Sequence, residues 1–267
     1  MTITLRISVY LVLILGGFKM KNILYGSTAR RRIFQCKAVT FDGTNDYMAR
    51  GADLTGNADS KVGTISFWFR TAVDGTNIVI HDTKTTTMFI RKLTTNKFAI
   101  SASNAALATI LNMVSGNAFT TSATWHHLAA SWNLATPVAH LYIDGASDEA
   151  AGSTETNDTI DYTRTDHFIG SADGFSSLYN GDLAELYINY AAYIDITQAA
   201  NLQKLRSASG KPVDLGVDGS LPTGTAPIIY QSVRSGDAAT VFAINKGSGG
   251  NFTITGALAI AATSPSD

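Results

Sequence analysis

Apolar and polar positions alternate along much of this chain in short runs, broken by Gly, Asn, Asp and Pro. The clearest case is residues 124–145, Thr-Trp-His-His-Leu-Ala-Ala-Ser-Trp-Asn-Leu-Ala-Thr-Pro-Val-Ala-His-Leu-Tyr-Ile-Asp-Gly. In its first run Leu128, Ala130 and Trp132 point one way, and Trp125, His127 and Ala129 the other. In its second run Val138, His140 and Tyr142 oppose Ala139, Leu141 and Ile143. Two alternating runs joined by an Asn/Pro connection predict a β-hairpin, and Asp144-Gly145 is a turn dipeptide that closes it. Two strands are not stable alone in water, so the pattern also predicts a second layer.

The same period recurs through the chain. Val39 and Phe41 alternate with Thr40, a Gly/Asn/Asp turn follows, and Tyr47 restarts a strand. Residues 63–70 place Ile65, Phe67 and Phe69 on one face and Trp68 on the other. Apolar residues on both faces predict a central strand covered twice. Residues 77–81, 87–93, 97–102, 167–170 and 182–190 read as further strands, while residues 107–114 fit strand or helical turn equally. Residues 146–165 and 173–180 read as polar loops. Residues 197–206 predict a helix, with Thr197 as cap, Ala199, Leu202 and Leu205 at helical spacing, and Gly210-Lys211-Pro212 as terminator. Residues 228–231, 239–245 and 252–258 read as three last strands, with residues 247–250 turning the final pair. Many short strands with one short helix predict an all-β, two-sheet antiparallel sandwich.

Composition narrows this picture. The chain has 267 residues, 45% hydrophobic and 15% charged, enough for a sizeable core. A net charge of −1 gives no bulk attraction to nucleic acid or to an anionic membrane, and neither is expected as a partner. The single cysteine, Cys36, excludes an internal disulfide framework and a Cys-cluster zinc site. Residues 7–18 are apolar between Arg6 and Lys19. That run is shorter than the roughly 20 residues a membrane span requires. It reads as a signal-peptide core, as upstream sequence ahead of a start at Met20, or as a genuine element. Arg30-Arg31-Arg32 reads as a solvated linker. The expected organisation is a leader or linker over 1–37, a sandwich over 38–206, and a C-terminal β extension over 207–267 packed on it.

The ordered set of strands resembles the laminin-G-like, concanavalin A-like jelly-roll superfamily, which includes pentraxins. The resemblance rests on Val39-Thr-Phe-Asp-Gly-Thr-Asn-Asp-Tyr47, Gly63-Thr-Ile-Ser-Phe-Trp-Phe69, Trp125-His-His-Leu128 with Leu141-Tyr-Ile-Asp-Gly145, and Tyr179-Asn-Gly-Asp-Leu-Ala-Glu-Leu-Tyr-Ile-Asn189. Residues 210–267 also resemble the C-terminal part of tailed-bacteriophage structural proteins with this domain, through Lys211-Pro-Val-Asp-Leu-Gly216, Pro222-Thr-Gly-Thr225 and Asn245-Lys-Gly-Ser-Gly-Gly-Asn-Phe252. The resemblance implies a non-enzymatic virion structural or decoration protein with a glycan-adhesion role. It would be virion-borne or extracellular, multicopy or homo-oligomeric, and in contact with cell-surface polysaccharide and other virion proteins. The alternatives are a secreted bacterial carbohydrate-binding module and a glycoside hydrolase or lyase.

Candidate chemistry is sparse. A retaining glycosidase needs two carboxylates about 5–5.5 Å apart. The only glutamates are Glu149, Glu155 and Glu185, and none has the strand spacing that supplies such a pair. His126 and His127 are adjacent, hence on opposite strand faces and unable to share one site. The resemblance implies a calcium site at the rim, with Asp173 at one acidic position, Asp42 and Asp46 as other candidates, and Thr86-Thr87 in place of an acidic pair a few residues from Asp82. Turn-capping by these Asp side chains is the competing reading. Asp82, Asp173, Tyr179 and Asn180 combine a ring with polar groups on loops, and are the expected carbohydrate-binding residues.

Overall fold

A computed structural model describes residues 34–83 and 87–267. The apolar run at 7–18, the basic triplet at 30–32 and Thr86 lie outside the described residues. Among the described residues no helix is long and apolar enough to cross a membrane.

In chain order the strands are β1 (Val39–Asp42), β2 (Tyr47–Arg50), β3 (Val62–Thr71), β4 (Ile78–Thr83), β5 (Met88–Lys92), β6 (Phe98–Ser103), β7 (Thr109–Val114), β8 (His126–Asn133), β9 (Val138–Ile143), β10 (Ala146–Ser147), β11 (Thr154–Glu155), β12 (His167–Ile169), β13 (Asn180–Asn189), β14 (Ile229–Gln231), β15 (Thr253–Thr255) and β16 (Ala259–Ile260). They form two antiparallel sheets. The first runs β10-β9-β8-β3-β13-β1-β16, with β14 also on β13; the second runs β11-β7-β6-β5-β4-β12-β2-β15. The expected sandwich is therefore the fold. The turn after Phe41 carries the chain from one sheet to the other, since β1 and β2 lie in different sheets. Strands from the C-terminal region join both sheets: β14 and β16 the first, β15 the second.

The hairpin of residues 124–145 forms as β8 and β9, with Leu128 opposite Ile143 and Trp132 opposite Ala139. Leu128, Ala130, Trp132, Leu141 and Ile143 face the core between the sheets. There they meet Ile65, Phe67 and Phe69 from the first sheet and Ile90, Phe98, Ile100 and Met113 from the second. Trp132 is fully buried and donates its indole N–H to the Tyr162 hydroxyl at 3.0 Å, so its polar atom costs nothing on burial. Its cross-strand partner is Gly63, where a Cβ would lie 2.2 Å from the indole ring. The glycine is there for space: no other residue fits beneath the ring.

The outer face of the first sheet is also covered. Ala129, Tyr187 and Tyr230 pack beneath Ile194, Ile196, Leu205 and Leu215. Trp68 and Ala184 pack beneath Cys36, Ala38 and Ala261, where the described N-terminal and C-terminal residues meet. The two-sided burial predicted for residues 63–70 is thus present.

Two local expectations are corrected, and one open reading is decided. The helix over 197–206 is a single turn, α1 (Ala199–Leu202), with Gln198 and not Thr197 at its N-cap. The Thr197 hydroxyl and amide instead bond the Asp195 carboxylate, a local turn that competes with helix capping. Residues 239–245 form a 3₁₀ helix (Ala239–Ala243), not a strand, so residues 247–250 do not turn a strand pair. Residues 107–114, left open by their pattern, contain strand β7.

Replacing Trp132 with Ala is expected to destabilise the domain by about 3–5 kcal/mol through the cavity it leaves. Urea denaturation of both proteins measures this; a loss under about 1 kcal/mol would show that the two sheets do not close over this ring.

Candidate functional site

One row of residues crosses all eight strands of the second sheet in register. It runs Thr253–Ala49–Phe168–Asp82–Phe89–Ser101–Asn112–Thr154. The next row, Ile254–Met48–Ile169–His81–Ile90–Ile100–Met113, points into the core. Side chains alternate between faces along a strand, so the first row points outward. Phe168, Phe89, Asn112 and Thr154 are partly exposed on that face.

Asp82 and Arg91 hold the centre of the row. Arg91 is two residues beyond Phe89 on β5 and reaches back, its Nη2 and Nε both on Asp82 Oδ2, the latter at 3.2 Å. The guanidinium also lies over the Phe89 ring, 4.2 Å from its centroid. A planar cation fixed by a carboxylate and a ring is a preorganised set of donors. The Asp82 side chain is fully buried, whereas Arg91 keeps 24% of its side-chain surface exposed. Burial pushes the Asp82 carboxyl up to about 7, against the pull of Arg91.

A loop borders this centre. Residues 170–179 leave β12, bond back through Val79 N–H to Ser177 O and Tyr179 N–H to Gly170 O, and enter β13. Gly174, at φ +87°, lies against the Tyr47 ring, where a Cβ would sit 3.3 Å away. Asp173 is near enough to Asp82 to add to its upward shift. Phe175, at the loop tip, is 86% exposed.

The residues expected from the sequence divide accordingly. Asp82 is on the outward face but is sealed under Arg91, so it acts through that side chain and is not an open acceptor. Asp173 is on the bordering loop. Its Oδ1 accepts the N–H groups of Phe175 (2.9 Å) and Ser176 (2.8 Å), which hold its carboxyl below the usual range. Asn180 opens β13 opposite Asp42 and packs on Gly43. Tyr179 must be corrected: it is fully buried, edge-on to Phe41 at 5.7 Å, with its hydroxyl donating to Arg70 O and Asp182 O. Its ring is core and offers no stacking surface. Phe89, Arg91, Phe168 and Phe175 were not singled out by sequence. Alternation within residues 87–93 separates Phe89 and Arg91 from Met88 and Ile90, but not which pair faces out.

The implied calcium ligands Asp42 and Asp173 are each bonded to backbone N–H groups of their own turns. Asp42 Oδ1 accepts the N–H groups of Thr44, Asn45 and Asp46, as a turn cap does, and Thr44 above all lowers its carboxyl. Asp46 is likewise committed, to Asp42 N–H and Ala257 N–H. Among the described residues no group of three His, Cys, Asp or Glu side chains is placed to hold a metal. The histidine pair behaves as expected of opposite faces: His127 is buried, bonded to Ser66 at 2.8 Å, and His126 is partly exposed beside Asp144.

Under the outward row, on the core side of the same two strands, His81 and His167 stack with ring centroids 6.0 Å apart. His81 bonds Phe168 O and the Tyr190 hydroxyl, and His167 bonds Asp53 and Arg164 O. Burial, then the proximity of His167, lowers the His81 pKa to about 3.

Two facing antiparallel sheets, with an aromatic and polar outward face, define a lectin-like β-sandwich. The chain belongs to the concanavalin A-like lectin/glucanases superfamily, whose family model matches residues 42–193. A candidate carbohydrate binding protein from Bacteroides ovatus shares the fold, with TM-score 0.58 and 16% identity over 85% of this chain. This chain spans 59% of the length of that structure. A native heptameric SAP-like pentraxin from Limulus polyphemus matches with TM-score 0.47 and 12% identity, over 62% of this chain and 81% of the pentraxin. The LG1-3 region of the laminin alpha2 chain matches with TM-score 0.42 and 17% identity, over 59% of this chain and 32% of the laminin chain. No curated protein matches the chain.

The two buried groups at the site have opposite linkage to pH. Folded His81 stays neutral down to about 3 while the unfolded group protonates at 6.5, so stability is lost as pH falls through that window. Folded Asp82 protonates at about 7 and unfolded Asp82 at 3.8, so stability is gained as pH falls between them. Asp82→Asn removes the opposing gain. Its stability should therefore fall more steeply than wild type between about pH 6.5 and 4, by up to about 1.4 kcal/mol per pH unit. Equal slopes in a urea–pH series would show that Asp82 is ionised throughout, its burial offset by Arg91.

Proposed function

We propose that this protein binds glycans, without catalysis, on the outward face of its second sheet. One observation carries the reading: two partly exposed phenylalanines, Phe168 and Phe89, flank a rigid Asp82–Arg91 pair in one cross-strand row. Sugars offer an apolar ring face to aromatic side chains and hydroxyls to fixed donors, and this face presents both. Phe175 and Asp173 on the bordering loop extend it. The lectin-like fold is consistent with the role, and the similar structure from Bacteroides ovatus is described as a candidate carbohydrate binding protein.

The non-enzymatic reading rests on the carboxylates. Asp82 is bound to Arg91, and Glu185 is bound to Arg234 and Tyr230. Asp82 Oδ2 and both Glu185 oxygens are committed to these partners, and the three glutamates lack the strand spacing that supplies the paired carboxylates of glycoside hydrolysis. The phage-like C-terminal residues extend the proposal to a decoration or tail-associated subunit on a virion, displayed in many copies, so that weak single sites add through avidity. A secreted bacterial module is the alternative setting. Mass spectrometry of purified particles separates the two.

The test is a glycan array probed with the wild type and with Phe168→Ala, each with and without a chelator. The expected result is binding that Phe168→Ala reduces about tenfold or more, with an unchanged melting curve. Loss of binding on chelation would assign a role to calcium through the Asp173 loop. Wild-type binding by Phe168→Ala would move the site off this face.

A further inference from the structure

The row that carries Phe168, Asp82 and Phe89 has a length and a charge as well as a composition. Phe168 is on β12, Asp82 on β4 and Phe89 on β5, in direct register. Neighbouring strands are about 4.8 Å apart, so the two rings stand roughly 10 Å apart along a line perpendicular to the strands. That is beyond the width of one pyranose ring and suits units separated by one other in a linked chain. The row continues past both rings, through Ser101 to Asn112 and Thr154 on one side and Ala49 to Thr253 on the other. Between the rings lies Asp82 under Arg91, and the residues beyond them are neutral. Ala99 and Ser101 are nearly buried beside the partly exposed Phe89 and Arg91, so they form the floor of a shallow trough and not a ridge.

The charge is nearly balanced at the centre. Above about pH 7, where its carboxyl is ionised, Asp82 neutralises Arg91, and Asp173 is the further charge within electrostatic reach of Asp82. An incoming carboxylate or sulfate would have to compete with Asp82 for the guanidinium and would meet Asp173. A hydroxyl needs neither: the Arg91 N–H groups not turned to Asp82 can donate to it without breaking the pair.

Resting on the glycan-binding reading, we infer that the ligand is an uncharged glycan chain laid across the strands, engaging Phe168 and Phe89 with units on either side of one held over Arg91. Affinity then depends on length in a stepped way. A single sugar reaches one ring only, and the step comes at the shortest oligomer that spans both. Phe168 and Phe89 share the role equally, so removal of either abolishes the step. Arg91 selects hydroxyls over anionic groups, with Asp82 as its positioning residue.

The experiment is calorimetric titration with neutral β-linked gluco-oligosaccharides from the monosaccharide to the hexasaccharide, and with oligogalacturonates of matching length. The panel is repeated for Phe168→Ala, Phe89→Ala and the ring-retaining Phe168→Tyr, with melting curves for each. The expected wild-type result is a gain of about tenfold or more between the disaccharide and the tetrasaccharide, and little beyond. Either Ala variant should flatten this curve to the short-oligomer level, Phe168→Tyr should keep it, and the acidic oligomers should bind at least about tenfold more weakly. A monosaccharide as tight as the hexasaccharide, or stronger binding of oligogalacturonates, overturns the chain-shaped neutral ligand while leaving glycan binding in place. Absence of binding to every oligomer here and to every array glycan overturns the glycan reading itself.

Discussion

Ile65, Phe67 and Phe69 on one side of β3, and Trp68 on the other, require cover on both faces of the first sheet. The second sheet supplies the inner cover, and the residues around α1 and the two described chain ends supply the outer one. Apolar burial of this extent dominates the stability of such a domain. It also decides where function can lie. With the first sheet covered twice, the outward row of the second sheet is the broad sheet surface left to meet a ligand. Its edges are the short strands β11 and β15, which offer little template for pairing with another chain.

The junction of β1 and β14 on β13 shows how the C-terminal residues are held to the sandwich. β1 pairs with β13 up to Leu183 and β14 from Leu186, leaving Glu185 in the gap, at a bulge on the β3 side. Glu185 adopts φ 51°, a conformation that costs a non-glycine residue on the order of 1–3 kcal/mol. Its buried carboxylate accepts the Tyr230 hydroxyl at 2.7 Å and pairs with Arg234, which in turn lies over Phe34. A buried carboxylate without these partners would be costly, so the bulge and residues 230–234 stabilise each other. The network ties β14 to the longest strands of the first sheet, and it leaves Glu185 with no spare oxygen for chemistry.

The strands were legible because alternation survives in each sheet. It identified the hairpin, the two-sided strand at Trp68, and the opposite fates of His126 and His127. The helix and the last strands were less legible for local reasons: Asp195 captures Thr197, and residues 239–245 curl into a 3₁₀ turn whose apolar residues Phe242 and Ala243 are buried without strand pairing. The site was half legible. Asp82 and Asp173 do border the same region, but Tyr179 turns inward to bond Arg70 O and Asp182 O, a partnership set by sheet register and invisible in a single strand. Phe168 joins Phe89 and Arg91 only when β12 is placed beside β4, although β12 is far from β4 and β5 along the chain. Conversely, Asp42 and Asp173, which looked like calcium ligands, cap turns within a few residues of themselves, while Asp46 also holds the distant Ala257 N–H.

The central claim is that the outward face of the second sheet receives the ligand. Amide chemical-shift mapping of the isotope-labelled protein, titrated with the strongest glycan from the array, tests it most directly. The account predicts that the largest shifts fall on β4, β5 and β12, around Asp82, Phe89, Arg91 and Phe168, and on residues 171–177. Shifts concentrated instead on the outer side of the first sheet, around α1 and residues 213–224, would contradict it.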